Sequence, residues 1–264
     1  MIPKIIHYCW FGRKKKPIII KKCIESWKRL MPDFQVIEWN EDNTDLNHPF
    51  VKKAYEEGKW AFVSDYIRLQ KVFEFGGVYF DTDIVAVKSI KNLLNRDFFI
   101  GLEDVDFINA SVFGAIKNHF LVKKCLDEYD TIEFDIKKIE LITIPKIITK
   151  ALKKIDNFSH TLVDTIEAND ITIYNVNYFY PFPFSKHRHM ELYRNYISDE
   201  TYCVHLWYGS WLKLDEFVHI RRGHYLKALP LILNCNKKGN DTIRKYFIRL
   251  LREVKYSLKH KLKI

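Results

Sequence analysis

Gly76-Gly77-Val78-Tyr79-Phe80-Asp81-Thr82-Asp83 reads as a tight reversal, a short apolar strand and two carboxylates at its end. The Gly-Gly pair permits a sharp helix-to-strand turn and close approach of backbones. An extended strand alternates its side chains, which predicts Tyr79, Asp81 and Asp83 on one face and Val78, Phe80 and Ile84 on the other. Two adjacent carboxylates repel unless a cation or strong donors sit between them. A hard divalent cation takes oxygen ligands, often shared with substrate phosphates. A D-x-D at a strand end therefore suits a metal–diphosphate clamp, although a D-x-D by itself is ordinarily a solvated pair.

The surroundings give that strand a context. Upstream, Ala61 to Phe75 carries Phe62, Tyr66, Leu69 and Phe73 at helical spacing, and Gly76-Gly77 stops the helix. At the start of the chain, Lys4 to Trp10 reads as a first strand. Pro17 then opens a helix with Ile20, Cys23, Ile24 and Trp27 on one face, and Phe34 to Trp39 reads as a second strand. This β-α-β opening predicts an α/β domain with parallel pairing. Downstream, strands are expected at 98–102, 110–114 and 201–206, and helices near 119–129 and 141–154. The aromatic, proline-punctuated stretch 175–200 reads as irregular.

The chain has 264 residues, of which 47% are hydrophobic and 29% charged, enough for one sizeable packed domain. Its five cysteines are odd in number and lack CxxC spacing, so neither a disulfide framework nor a structural zinc site is expected. With no leader-like run at the N-terminus, this fits a cytoplasmic protein. No stretch reaches the roughly 18 apolar residues that span a bilayer. The net charge is +10, and from Lys237 onward ten Lys/Arg face two acids, so the tail holds +8 of it. A nucleic-acid enzyme is more often basic across its main face; no nucleic-acid partner is expected. Residues 242–262 form a basic amphipathic helix, which divides the chain into a domain over 1–236 and a helical appendage over 237–264. Such a helix suits peripheral contact with an anionic membrane, or it packs on the domain with a solvated basic face.

Three separated motifs carry a family resemblance. Lys59 to Leu69 with Phe75 to Asp83, Ile2 to Gly12 at the start, and Val204-His205-Leu206-Trp207-Tyr208-Gly209-Ser210-Trp211 near the end resemble glycosyltransferase family 32. That family holds DXD-containing sugar transferases of bacterial capsular-polysaccharide synthesis and the Och1-like mannosyltransferases. The resemblance covers roughly 1–215 and implies a GT-A fold: a Rossmann-like mixed sheet flanked by helices. It implies a metal-dependent retaining transfer of a hexose from a nucleotide-sugar, with Mn²⁺ or Mg²⁺ as cofactor. The opening strand tilts the donor toward a UDP-sugar, with GDP-mannose the alternative. The acceptor implied is a glycan or a polyprenyl-diphosphate-linked glycan at the inner face of the cell membrane.

By the same resemblance, Asp83 is a metal ligand, Asp81 a carboxylate near metal and ribose, and His205 a late third ligand. Asp65 and Arg68, three apart on a helix and therefore neighbours, contact donor sugar and diphosphate. Trp10 stacks on the base, Tyr79 touches the donor, and Ser210 and Trp211 belong to a loop closing over the diphosphate. Asn109 bonds sugar hydroxyls. A different chemistry also fits Asp81-Thr82-Asp83: the aspartyl-phosphate loop of haloacid-dehalogenase phosphatases, with Asp81 as nucleophile. That loop ordinarily follows the first strand, whereas about 80 residues precede it here. A non-catalytic glycan-binding module is the third reading.

Overall fold

A computed structural model describes residues 1–137, 142–209, 214–233 and 240–259. The chain forms two compact units: Met1–Pro183 with Tyr196–Leu206, and Phe184–Asn195 with Trp207–Lys263.

The first unit opens with the expected β-α-β element. Strand β1 (Ile5–Cys9), helix α1 (Ile18–Leu30) and strand β2 (Gln35–Trp39) place β1 and β2 parallel, with Ile5 opposite Gln35 and Cys9 opposite Trp39. Helices α2 (Pro49–Glu56) and α3 (Trp60–Phe75) then cross over to β3 (Gly77–Phe80), also parallel to β1. Gly76 and Gly77 lie at φ 64° and 107°. A Cβ would fall 2.8 Å from the Lys117 nitrogen at Gly76 and 2.8 Å from the Ile5 oxygen at Gly77. The reversal thus requires both glycines.

Beyond β3 the segment 78–84, expected to alternate its side chains as one extended strand, departs from that form. It is not one strand but two, β3 and β4 (Ile84–Ala86), lying in different sheets with a turn over 81–83. Strands β5 (Phe98–Asp104) and β6 (Phe107–Ala115) make an antiparallel hairpin, with β6 antiparallel to β3. After α4 (Phe120–Asp130) and α5 (Ile144–Lys153) come β7 (Ile166–Ala168) and β8 (Ile171–Tyr174), then α6 (Val176–Phe179) and β9 (Cys203–His205). The result is a mixed α/β sheet of seven strands, ordered β2-β1-β3-β6-β5-β8-β7, beside a two-stranded β4–β9 ladder.

The core lies against this sheet: Tyr79, Phe98, Ile100 and Phe113 pack with Leu121 and Cys125 of α4 and with Ile147 and Ile148 of α5. Helix α1 anchors β4 through two bonds: the buried Trp27 indole donates to the Ile84 oxygen at 2.7 Å, and the Ala86 N–H donates to Ser26 Oγ at 3.0 Å. The same α1 face that the sequence marks as apolar therefore fixes the strand that follows the aspartates.

The second unit contains α7 (Glu216–Arg221), α8 (Tyr225–Leu233) and α9 (Asn240–Lys259) around Phe217, Ile220, Ala228, Tyr246 and Leu250. Glu253 is buried and paired with Arg221 at 2.6 Å. The basic C-terminal helix shares this unit with α7 and α8.

Candidate functional site

Strand β3 makes its last ladder bond when the Asp81 N–H donates to the Ser111 oxygen at 2.8 Å. The chain then turns, with the Ile84 N–H donating to the Asp81 oxygen at 3.0 Å. Asp81 and Asp83 converge through this turn and not through the alternation of a continuous strand. Strand β4 pairs antiparallel with β9, setting Ile84 opposite His205, and the Leu206 N–H donates to the Asp83 oxygen at 3.1 Å. This register delivers His205 to the aspartates, with Nε2 3.2 Å from Asp83 Oδ1.

One ligand atom from each of Asp81, Asp83 and His205 lies within 4.8 Å of the others. Opposite ligands of an ion with bonds of about 2.1 Å are about 4.2 Å apart, so the cluster matches a divalent ion in size. Two carboxylates and one imidazole form a donor set that a divalent cation can use. The electrostatics also favour a cation. Burial by itself lowers the His205 pKa, but Asp83, Asp81 and Glu103 outweigh it and raise it.

Behind the aspartates lies Arg68. Its Nη2 reaches Asp65 Oδ1 at 2.9 Å and Asp81 Oδ1 at 3.2 Å. Nη1 donates to the Ala110 oxygen at 3.0 Å and Nε to the Ser64 oxygen at 3.2 Å. The guanidinium also stacks 4.5 Å from the centre of the Tyr79 ring, whose hydroxyl donates to Asp81 Oδ1 at 3.1 Å. Arg68 is 5% exposed, and each of its three nitrogens is engaged inside the protein. Asp65 is similarly enclosed. Burial pushes its pKa up to about 6 against the pull of Arg68, and the Ile144 N–H at the start of α5 also bonds it. Asp65, Arg68 and Tyr79 thus form one buried network that holds Asp81 in place.

Asn109 sits at a break in the β5–β6 ladder. Ile100 pairs with Phe113 but Gly101 pairs with Asn109, so residues 110–112 leave the register with β5. Tyr180 fills the break: its hydroxyl donates to the Asn109 oxygen at 2.9 Å and accepts from the Val112 N–H at 3.0 Å. Its ring meets that of His205 edge-on at 6.1 Å. Gly101 permits this approach, since a Cβ there would lie 2.6 Å from Phe179 and 2.9 Å from Tyr180. The Asn109 side chain accepts from the Ser111 N–H at 2.7 Å and donates to Glu103 Oε2 at 2.6 Å. Glu103, which accepts from Asn109 and which burial shifts toward a higher pKa, is a candidate site residue that sequence reasoning missed. Within Glu103-Asp104-Val105-Asp106 it looks like one acid of a solvated hairpin turn.

Trp10 follows β1 as Asp81 follows β3, so both lie at the carboxyl ends of adjacent parallel strands, the usual edge for ligands in α/β sheets. Its indole donates to the Lys14 oxygen at 2.6 Å, and the residue is partly exposed, not part of the core. Ser210 and Trp211 lie outside the described residues.

Two family models match the chain in tandem. The glycosyltransferase sugar-binding region containing the DXD motif matches residues 17–100, and the alpha-1,4-glycosyltransferase conserved region matches residues 114–218. Asp81 and Asp83 fall within the first and His205 within the second. Among curated proteins, the chain is 24% identical over 192 residues to the alpha-1,4-N-acetylglucosaminyltransferase of Homo sapiens, covering 68% of this chain and 50% of that protein. It is 25% identical over 153 residues to the lactosylceramide 4-alpha-galactosyltransferase of Rattus norvegicus, covering 55% of this chain and 40% of that protein. The chain spans about half the length of these relatives, both animal enzymes, and neither comes from the bacterial capsule branch that its opening strand led us to expect. Among solved structures it is similar to the PaToxG glycosyltransferase, at 20% identity, 58% of this chain, 68% of that chain and a TM-score of 0.46. It is also similar to the galactosyltransferase LgtC with donor and acceptor sugar analogs, at 12% identity, 91% of this chain, 99% of that chain and a TM-score of 0.42.

Proposed function

We propose that this chain is a metal-dependent retaining glycosyltransferase of GT-A type that moves a hexosyl group from a nucleotide-sugar to a glycan hydroxyl. The observation that carries the reading is the convergence of Asp81, Asp83 and His205 at the carboxyl edge of the sheet, in a chain similar to DXD-containing glycosyltransferases. Retention is supported by the α linkage in the relatives' names.

Asp81, Asp83 and His205 would hold the ion, and Mn²⁺ is our preferred identity. When bound, such an ion neutralises charge on the departing nucleoside diphosphate. The chain's own residues do the rest. Arg68, Asp65 and Tyr79 fix the Asp81 carboxylate, so that little reorganisation is needed as charge develops. Trp10 offers a ring face for the base. Glu103, positioned by Asn109, is the carboxylate available to sugar hydroxyls. A UDP-sugar is the proposed donor, and a glycan built on polyprenyl diphosphate for surface polysaccharide is the proposed acceptor. The phosphatase reading is disfavoured, because an Asp81 nucleophile would have to act while bonded to Arg68 and Tyr79.

The test is thermal stabilisation by UDP and GDP with and without Mn²⁺. A ligand at 100 times its Kd adds about 2.7 kcal/mol. Stabilisation only with Mn²⁺, abolished in Asp83→Ala, is the expected result. No stabilisation by either nucleotide under any metal would overturn the proposal.

A further inference from the structure

Helix α9 carries two adjoining seams of side chains, and the second unit buries only one. Tyr246, Leu250, Glu253 and Ser257 recur at i, i+4, i+7 and i+11, and all four are buried. One position on, Phe247, Leu251, Val254 and Leu258 repeat the same spacing. Of these, Phe247, Leu251 and Leu258 are 55%, 69% and 65% exposed. A helix that only needed to pack would end its apolar arc at the first seam.

The other positions of α9 are mainly basic. Between residues 243 and 259 six Lys/Arg stand against the single acid Glu253, and Glu253 is turned inward onto Arg221. The exposed surface of this stretch therefore presents positive charge beside a bare apolar seam. Helix α8 extends the apolar part. Its Leu226, Leu229 and Leu233, at i, i+3 and i+7, are 87%, 51% and 76% exposed. It lies alongside α9: the Tyr225 hydroxyl donates to Ser257 Oγ at 3.1 Å, and Ala228 and Ile232 share a cluster with Val254. Exposed leucines in adjoining stripes exceed the scattered apolar residues of an ordinary surface.

We infer that the exposed faces of α8 and α9 form a docking surface for an anionic lipid bilayer, with Leu226, Leu233, Leu251 and Leu258 entering the headgroup boundary and the α9 Lys/Arg meeting lipid phosphates. An apolar stripe flanked by Lys/Arg is the composition of an interfacial helix. A nucleic acid would satisfy the charge but not the leucines. Among the described residues no helix is long and apolar enough to cross a membrane, so the surface lies on the bilayer. This inference does not depend on the glycosyltransferase reading.

Vesicle flotation of the full chain tests it, comparing phosphatidylcholine with a mixture containing one-third phosphatidylglycerol. The chain should float with the mixed vesicles and only weakly with phosphatidylcholine. The triple variant Arg244→Gln/Arg252→Gln/Lys255→Gln should bind on the order of 100-fold more weakly, from roughly fivefold per basic side chain. Leu226→Ser/Leu251→Ser/Leu258→Ser should also detach, with its melting temperature unchanged because these side chains are exposed. Failure of the parent chain to float with the mixed vesicles would overturn the inference, as would unaltered flotation of the leucine variant. A dimer in light scattering that the leucine variant dissociates would also overturn it, by making the face an interface between copies.

Discussion

His205 Nε2 lies 3.2 Å from Asp83 Oδ1 because Ile84 and His205 are paired across the β4–β9 ladder. If His205 completes a metal set with Asp81 and Asp83, His205→Ala should weaken Mn²⁺ binding at least about 10-fold, the loss that even a supporting partner of a ligand causes. Mn²⁺ titration followed by electron paramagnetic resonance measures this. Equal affinity in the variant would remove His205 from the ligand set.

Arg68 is a packing element as much as a charge. Arg68→Met leaves the Asp65 and Asp81 carboxylates without their shared partner, which should cost about 3–5 kcal/mol in urea unfolding. Arg68→Lys should recover little of it, since one ammonium cannot reproduce the separate bonds of Nε, Nη1 and Nη2. A loss below about 1 kcal/mol, typical of an exposed pair, would show that the buried network is not what holds Asp81.

Glu103→Gln keeps an oxygen for the Asn109 amide and removes the charge. Nucleotide binding with Mn²⁺ should be unchanged, while transfer should fall roughly 10- to 100-fold, the equivalent of one charged hydrogen bond of about 1.5–3 kcal/mol. Full turnover in this variant would make Glu103 a structural partner of Asn109 only.

The pH dependence of stability should carry the signature of His7. Its Nε2–H donates to the Gly76 oxygen at 2.8 Å and its Nδ1 accepts from the Trp39 indole at 3.1 Å, so the ring is neutral. Burial lowers its pKa to about 4, Lys71 adds to that, and the Gly76 bond opposes it. The folded value lies below the unfolded 6.5, so the unfolded chain binds the extra proton between these limits. Stability is therefore full above about pH 6.5 and falls as the pH drops toward 4, by about 3 kcal/mol from this group. His119, whose pKa burial also lowers to about 4, contributes in the same direction. His7→Gln should flatten the slope of unfolding free energy against pH in this window; an unchanged slope would contradict the assignment.

Much of the local architecture was legible in the residues. The β-α-β opening, the α3 stripe and the Gly76-Gly77 reversal emerged within a residue or two of expectation, because each depends on nearest neighbours: helical spacing, proline placement, and backbone angles open to glycine alone. The D-x-D was legible as a pair of carboxylates, but its geometry was not. Alternation along one strand put Asp81 and Asp83 on a common face, whereas the chain changes sheet after Phe80 and brings them together through a turn.

What the amino-acid order determined by itself was the set of elements and the chemical types at their ends. Tertiary structure decided which of those groups meet. His205 joins the aspartates through β-ladder register, Glu103 enters the site through a break in the β5–β6 pairing, and Arg68 turns inward to hold Asp81. The α9 pattern likewise marks one broad apolar arc, and only its packing with α7 and α8 separates a buried seam from an exposed one. Periodicity records which way a side chain points from its own backbone; proximity between distant segments depends on strand pairing and packing, which no local pattern encodes.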